Sequence, residues 1–474
     1  MKPRVVFFQQ YPVPYFGILA LDQHLRCAGF QAEVVIDLLE KDPISVIQKM
    51  APSLIGISVL SSEHPWLIRM SKELKKALPQ TKIIVGGFHG MLYSKEILEE
   101  TPVDFVCHGD GEEVLIRVVE AMGLPESRWE SIAGIAYRDN GKICFNEAAP
   151  LVSFREEIVE DRNIYYRRYP KLAQDTDHCF ISSRGCPYRC SFCYNAHLRE
   201  RFKEKGTFIR QKSVDNFIKE IVLDCSHHPV ESIFLFDDLF TLNEKWLYSF
   251  LERYKKEVNL PFICMTKANL INEEMVIRLA EAGSRTVVIG IETGSNFIRQ
   301  NILKKSITNE EIVRCGQLLQ KHGIKMQTNN MFCLPGETLE DAFKTVELNI
   351  QAKTQYAFAS IFLPFPKTEL TDYCIQNGIL KQDYSLKDIP HSTQAASVLN
   401  LGDKGSITNV QRACFFFVRW PWTFKLFRQL VKVAFLDPFF KVLSIIGHFV
   451  RHKEQRGISF WAMVRYAWRL RKAF

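Results

Sequence analysis

Three cysteines at C-x3-C-x2-C spacing, Cys186, Cys190 and Cys193, are the residues of this chain best suited to chemistry. They lie in the run Ser183-Arg184-Gly185-Cys186-Pro187-Tyr188-Arg189-Cys190-Ser191-Phe192-Cys193-Tyr194. Thiols packed this closely suit a metal or an iron–sulfur cluster better than a disulfide. A zinc site asks for a fourth ligand nearby, usually from a second C-x2-C pair. The other ten of the thirteen cysteines, such as Cys27, Cys144, Cys264 and Cys374, are scattered and form no second C-x-x-C. A [4Fe-4S] cluster held by three cysteines leaves one iron open, and that iron can hold a second molecule. The bland alternative is three unrelated buried thiols in a cysteine-rich chain.

Something must position those thiols. The cysteine loop follows a strand-like run, Cys179–Ser183, which opens a segment of alternating strands and helices from about 175 to 380. Val214–Asp224 reads as a helix. Ser232–Phe236 reads as a strand ending in Asp237-Asp238, and Pro261–Met265 as one ending in Thr266-Lys267. Thr286–Ile291 ends in Glu292-Thr293-Gly294-Ser295. Lys325–Phe332 leads to Leu334-Pro335-Gly336-Glu337-Thr338, and Ala357–Leu363 to Pro364-Phe365-Pro366-Lys367-Thr368. The segment has the size of a (β/α)6 partial TIM barrel. Barrel active sites are built where these polar groups gather, at the carboxyl ends of the strands.

Residues 1–123 also alternate strand and helix. Arg4–Gln10, Ala32–Asp37, Ser53–Leu60, Lys82–Val85 and Asp104–Cys107 read as strands, with helices over Tyr15–Gly29, Pro43–Met50 and Trp66–Leu78. Unbroken apolar strands between helices predict a Rossmann-like, doubly wound parallel sheet covered on both faces. Ligands of such α/β folds bind at the carboxyl strand ends. Three ends stand out: Ser58–Ser62, Gly86-Gly87-Phe88-His89 and Gly109-Asp110-Gly111-Glu112. Each glycine cluster alone reads equally well as a tight strand-to-helix turn. Residues 124–174 form a connector with a β-hairpin, Ile132–Tyr137 and Lys142–Asn146, around Asn140-Gly141. Its Tyr- and Arg-rich stretch Arg162–Tyr169 carries no motif.

Cys186-x3-Cys190-x2-Cys193, with Phe192 just before the last cysteine, resembles the signature of radical S-adenosylmethionine (SAM) enzymes. The resemblance implies that the open iron chelates the amino and carboxylate groups of SAM. One electron, supplied by a reductant such as flavodoxin or ferredoxin, then splits a carbon–sulfur bond. The resulting 5′-deoxyadenosyl radical takes a hydrogen atom from the substrate. Phe192 would lie against the adenine, whose π face suits an aromatic neighbour. Asp237 and Asp238 resemble the acidic strand end that holds the SAM amino group, a sound charge pairing. Glu292 with Thr293 resembles the motif that meets the ribose, and Gly336 with Glu337 the turn beside the adenine. Lys267 stands where relatives often carry Arg, and Lys cannot make the planar bidentate contact with a carboxylate. The plainer alternatives are that Asp237 caps the helix after its strand and that Glu292 pairs with a nearby Lys.

The first segment resembles the cobalamin-binding domain that precedes many radical SAM enzymes. That resemblance nominates Tyr11, in Tyr11-Pro12-Val13-Pro14-Tyr15-Phe16-Gly17, together with Ser58, Gly86, Gly87, His89, Gly109, Gly111 and Glu112 as cobalamin contacts. Many cobalamin proteins carry D-x-H-x-x-G, whose His ligates cobalt. Here Asp22-Gln23-His24 is followed by Cys27 at the glycine position and lies inside the first helix, so His24 reads as an ordinary helix residue.

Composition adds limits. The 474 residues are 47% hydrophobic, enough for full cores, and the chain opens directly into the strand-like Val5–Phe8. We therefore expect a reducing cytoplasm with free thiols. The net charge of +8 is concentrated in 381–474: from Gln411 to Phe474 there are thirteen Lys and Arg against two acids, so the remainder is slightly acidic. That stretch also holds sixteen aromatic residues, Trp420, Trp422, Trp461 and Trp468 among them. Its best apolar run, Val433–Val450, is broken by Asp437, Pro438, Lys441 and His448, so it does not span a bilayer. A basic, aromatic helical tail can lie in a membrane interface, as Ser459–Lys472 would, or cap the barrel. Nucleic-acid binding is the third option, but no such motif is recognised. The expectation is a cobalamin-dependent radical SAM methyltransferase acting on an unactivated carbon of a hydrophobic small molecule or lipid, at the inner face of the membrane. The alternatives are a radical cyclase, rearrangement or oxidation enzyme, or a cobalamin- or tetrapyrrole-binding module with a structural cluster.

Overall fold

The computed structural model describes residues 4–124, 128–390 and 392–456. These fall into two compact units: residues up to 176 together with 199–230, and residues 177–198 together with those from 231 on.

The first unit is built on a seven-stranded sheet. Its strands are β1 (Arg4–Gln9), β2 (Gln31–Ile36), β3 (Leu54–Ser58), β4 (Lys82–Gly86), β5 (Phe105–Cys107), β6 (Ile135–Asp139) and β7 (Lys142–Phe145). The order is β2-β1-β3-β4-β5-β6-β7; β1 to β5 are parallel, and β6 and β7 run antiparallel at the edge. Helices α1 (Phe16–Cys27), α2 (Pro43–Met50), α3 (His64–Ala77), α4 (Gly87–Glu100) and α5 (Glu112–Ala121) alternate with the parallel strands. The hairpin expected in a separate connector is thus part of this sheet. It pairs with β5, whose edge would otherwise be open. The Tyr-rich stretch contains a short helix, α6 (Asn163–Tyr166), and is tied to the same sheet. The Tyr165 hydroxyl donates to Gln9 Oε1 (2.5 Å), and the Tyr169 hydroxyl accepts from the Ile36 N–H (2.9 Å).

The second unit is a curled sheet of six parallel strands. In chain order they are β8 (Asp177–Phe180), β9 (Ser232–Leu235), β10 (Phe262–Thr266), β11 (Ser284–Glu292), β12 (Lys325–Phe332) and β13 (Tyr356–Ile361), and they lie side by side in that order. The helices that follow these strands along the chain are α7 (Tyr194–Arg201), α8 (Val214–His227), which groups with the first unit, α9 (Glu244–Glu257), α10 (Glu273–Glu281), α11 (Asn309–Lys321), α12 (Leu339–Gln351) and α13 (Glu369–Gln376). Six of them begin on a side chain that accepts a backbone N–H of the first turn: Ser213, Asn243, Asn272, Thr308, Thr338 and Thr368. Such caps satisfy donors that a helix start leaves orphaned, and each contributes about 1 kcal/mol.

The tail adds α14 (Lys404–Arg419), α15 (Pro421–Phe427) and α16 (Asp437–Arg456). Ile407, Val410, Cys414 and Phe417 of α14 share one core with Ala357, Ala359 and Ile361 of β13 and with α12. This part of the tail is therefore a structural layer of the barrel. Among the described residues no helix is long and apolar enough to cross a membrane. Ser459–Lys472, with Trp461 and Trp468, lies outside the described residues.

Candidate functional site

In the second unit the cysteine loop leaves β8 and is anchored at its centre. Ser191 donates its N–H to Leu303 O (3.0 Å) and its hydroxyl to Ile302 O (2.6 Å), and its own carbonyl accepts the Leu370 N–H (2.9 Å). Cys186, Cys190 and Cys193 are free thiols, each half-buried. Burial raises all three above the ordinary thiol range, to about 11 for Cys186 and Cys193, where Asp238 and the neighbouring cysteines add to the rise; at Cys190 it is Glu292 that adds to it. A cation must therefore compensate them as thiolates. Lys305 and Lys267 act in that direction on Cys190. Among the described residues no three His, Cys, Asp or Glu side chains converge as ligands of a single metal ion. A cluster does not need that convergence, because each thiolate binds a different iron. The donor set, three soft thiols on one anchored loop, fits such a group.

The paired aspartates after β9 divide. Asp237 is fully buried and accepts from the Ser182 N–H (3.1 Å), the Ser182 hydroxyl (2.7 Å) and the Ser183 hydroxyl. Its carboxylate secures the chain entering the cysteine loop. That corrects the expectation that both aspartates face SAM. Asp238 is exposed and accepts from Asn195 Nδ2 at 2.8 Å. The cause is local: neighbouring residues at a strand end point to opposite sides.

Lys267, at the end of β10, is buried, with Nζ 3.4 Å from the centre of the Tyr188 ring and 3.3 Å from Ser306 Oγ. Burial, followed by the proximity of Lys305, brings its ammonium down to about 8, while the Cys190 and Cys186 thiols pull the other way. Glu292 is paired with Lys305 at 2.7 Å, with both side chains largely buried, the ion pair that the plainer alternative expects. Its backbone sits in the left-handed region at φ 66°, a strained setting for a non-glycine residue that orients the pair. A Cβ on Gly290 would fall 2.4 Å from Glu292 Oε1 and 2.5 Å from Lys305 Nζ, so the pair lies directly over that glycine.

Thr293 is wholly buried, and its hydroxyl accepts from the Ser295 N–H. Gly294 donates to Thr345 Oγ1 (2.8 Å), and a Cβ there would lie 2.2 Å from Lys344 O of α12. Thr293 thus builds the turn rather than offering its hydroxyl to a ligand. The residue that organises this loop was not visible in the sequence. Arg299, fully buried, donates to Ile291 O (3.2 Å), Asn296 Oδ1 (2.9 Å) and Thr293 O. No sequence cue marks it, because Arg299 stands among the polar residues Asn296, Gln300 and Asn301. Gly336 holds a positive φ of 74°. Glu337 is buried: its Oε2 accepts the Leu334 N–H (3.0 Å), while Oε1 has no partner, and burial raises its carboxyl to about 8. Phe192 is half-buried on the cysteine loop.

In the first unit the candidate strand ends fare differently. Tyr11 and Ser58 are half-buried at the ends of β1 and β3, and Gly86 and Gly87 open α4 beside them. His89 is buried, its Nε2 2.9 Å from His64 Nδ1 and its Nδ1 3.3 Å from Ser61 Oγ, so it stands behind that edge rather than on it. Gly109 and Glu112 are buried; Phe202 lies over Gly109 at 3.6 Å from where a Cβ would be, and Leu21 over Gly111 at 3.1 Å. Asp110 between them is held by Arg210 and by the Val152 N–H. That third strand end is therefore a covered turn. His24 lies within α1, its Nδ1 2.8 Å from Ala20 O, as an ordinary helix residue. Nothing in the sequence singles out Glu63. Its Oε1 accepts from the Tyr15 hydroxyl (3.0 Å) and its Oε2 from the Leu60 N–H (2.5 Å), and burial raises its carboxyl to about 7.

The profile of the radical SAM superfamily matches residues 180–348, and that of the B12 binding domain matches residues 9–119. An uncharacterized methyltransferase of Pyrococcus horikoshii is 26% identical over 347 residues, 73% of this chain and 74% of that protein. The anaerobic magnesium-protoporphyrin IX monomethyl ester cyclase of Rubrivivax gelatinosus is 24% identical over 75% of this chain; the chain spans 65% of that enzyme's length. Among solved structures, the cobalamin-dependent SAM radical enzyme OxsB, with aqua-cobalamin and SAM bound, superposes with a TM-score of 0.70. It covers 99% of this chain and 75% of its own at 16% identity, a likeness of fold.

Proposed function

Because this chain belongs to the radical SAM enzymes that carry a B12-binding domain, we propose that it methylates an unactivated carbon of a hydrophobic small molecule or lipid. Its cofactors are a [4Fe-4S] cluster, SAM and cobalamin, and like other radical SAM enzymes it draws on a one-electron reductant. When bound, these groups supply a carbon-centred radical and a transferable methyl group. The observation that carries the reading is the anchored loop with three half-buried free thiols at the carboxyl end of β8.

In this reading Cys186, Cys190 and Cys193 hold the cluster, and Ser191 and Asp237 fix the loop that carries them. Asp238 offers its exposed carboxylate to the SAM ammonium. Lys267 faces the SAM carboxylate as a point charge. Phe192 and the Gly336–Glu337 turn would contact the adenine, and the Glu292–Lys305 pair would meet the ribose. In the first unit Tyr11, Ser58, Gly86 and Gly87 border the cobalamin. The methyl-transfer reading draws on a relative named as a methyltransferase, and the cyclase reading on a relative named as a cyclase.

The test is anaerobic reconstitution followed by incubation with SAM labelled at its methyl group and with candidate lipids and tetrapyrroles. Wild type should hold about four irons per chain and pass label to one of these compounds. The Cys186→Ala/Cys190→Ala/Cys193→Ala variant should lose both properties. Release of 5′-deoxyadenosine with an unlabelled, altered product would favour the cyclase reading. Full iron content in the triple variant would sink the cluster assignment.

Contact with a membrane surface is part of the proposal. Among the described residues, Trp422, Leu426, Phe435, Phe439, Val442 and Ile445 of the tail are all exposed, Phe435 by 82% and Ile445 by 70%. Single exposed apolar residues are ordinary, but six in so short a stretch of chain are what this reading assigns to an interaction surface. Lys432 and Lys441 are exposed in the same stretch and suit anionic headgroups, each contributing about 1 kcal/mol. The full chain should sediment with anionic vesicles at low salt and leave them at high salt. A Phe435→Ser/Ile445→Ser variant that still binds would remove this surface from the account.

A further inference from the structure

One cation of the tail differs from the rest. Most are solvated, but Arg451, near the end of α16, is 6% exposed. Its guanidinium carbon lies 4.6 Å from the centre of the Phe358 ring, and its Nη2 lies 3.0 Å from His448 Nδ1, one helical turn earlier. The His448 ring meets Phe358 edge-on, with centroids 6.1 Å apart. These three side chains form one cluster.

The position of Phe358 locates the cluster. Side chains alternate along a strand. Ala357, Ala359 and Ile361 of β13 pack in the core shared with α12 and α14. Phe358 and Ser360 therefore occupy the opposite side of the strand, the inner side of the half-barrel. In such barrels the helices lie outside, and substrates enter at the strand ends of the inner side. β13 is the edge strand, so α16 can pass around it and bring Arg451 to that inner side.

Among the described residues no carboxylate pairs with Arg451, and burial alone moves its guanidinium down, to about 10. An uncompensated buried cation is strongly destabilising. The other buried arginine of this unit, Arg299, spends its donors on three backbone carbonyls and an asparagine. Arg451 spends one on an imidazole. A guanidinium carries five N–H donors in a planar fork that matches carboxylate and phosphate oxygens.

We propose that Arg451, with His448 beside it and Phe358 as a flat wall, binds an oxyanion, carboxylate or phosphate, borne by the substrate of the barrel. The substrate would then be amphipathic, with an anionic end at α16 and an apolar body along the barrel wall. The placement inside the barrel rests on the proposed function, but the anion site can be tested separately from it. Reconstituted protein is titrated with inorganic phosphate and, in parallel, with benzoate, following the melting temperature and the heat of binding. At least one probe should raise the melting temperature of wild type, and Arg451→Gln should weaken its binding at least tenfold. His448→Gln should weaken it less. Without any anion, Arg451→Gln should melt at or above the wild-type temperature, because it removes a buried charge that no carboxylate among the described residues pairs. The stronger probe identifies the class of oxyanion. The proposal is overturned if neither probe binds wild type, if Arg451→Gln binds the probe as well as wild type does, or if Arg451→Gln melts lower than wild type without anion. Iron content and SAM cleavage, measured in the same preparations, report on the proposed function independently.

Discussion

Asp237→Asn separates two roles that a pair of adjacent aspartates could play. In the structure Asp237 is buried and serves as acceptor for the Ser182 N–H, the Ser182 hydroxyl and the Ser183 hydroxyl. Hydrogen bonds to a charged group contribute about 1.5–3 kcal/mol each, roughly double a neutral one. Asparagine keeps one oxygen but loses the charge, and its NH2 turns a donor towards other donors. The expected cost is about 3 kcal/mol. For domains of 150–250 residues each kcal/mol moves the melting temperature by about 2–4 °C, so a drop of about 6–12 °C is expected. Asp238 is exposed, and Asp238→Asn should shift stability by less than about 0.5 kcal/mol. The assay is a thermal melt of each variant, followed by SAM titration of anaerobically reconstituted protein. Asp237→Asn should melt early and load less iron, because the cysteine loop loses its support. Asp238→Asn should load iron normally and bind SAM about tenfold more weakly, the loss of one charge-assisted contact. The reasoning fails if Asp237→Asn melts like wild type while Asp238→Asn binds SAM unimpaired.

Two further outcomes follow from buried groups. The Glu63 carboxyl is raised from 4.5 to about 7, chiefly by burial, so the folded state holds its proton across a pH range where the unfolded chain has released it. Its stabilising effect is present below about pH 4.5 and is lost as pH rises through about 7, a change of about 3 kcal/mol; melting curves of Glu63→Gln between pH 5 and 8 should therefore fall less steeply than those of wild type, and parallel curves would contradict this. Gly294→Ala forces a Cβ to within 2.2 Å of the Lys344 carbonyl, backbone that cannot rotate away, whereas Gly402 has nothing within 4 Å. The first should cost about 1–3 kcal/mol in denaturant unfolding and Gly402→Ala almost nothing, and equal costs would show that α12 yields.

Much of the fold was legible because it is written locally. The strands of both sheets fall within a few residues of the apolar runs that nominate them, and Asn140-Gly141 marks the hairpin turn between β6 and β7. Five barrel helices begin at the Asn and Thr residues that cap them. What stayed hidden depends on partners far along the chain. His89 looked like part of an open strand end, yet it meets His64 and Ser61, which the fold brings to it from another loop. The Tyr165 hydroxyl bonds Gln9 across 156 positions, a pairing that no local pattern announces. The tail read as one basic, aromatic stretch, but α14 belongs to the barrel core while side chains of α15 and α16 are left exposed.

The sequence alone determined which chemistry the chain can support, because C-x3-C-x2-C places three soft donors on a single loop whatever the rest of the fold does. It also determined the alternation of strands and helices, since periodicity and caps act over a few residues. Only the tertiary structure decided which polar groups are free to act. Asp237 and Asp238 are neighbours with identical side chains, and the register of β9 against β8 turns one of them onto Ser182 and leaves the other exposed. Glu292 could equally have faced a ligand until the chain returned thirteen residues later with Lys305. A one-residue change of register would exchange the sides of every such pair. Register is fixed by packing summed over the whole sheet, and no single segment of the sequence contains it.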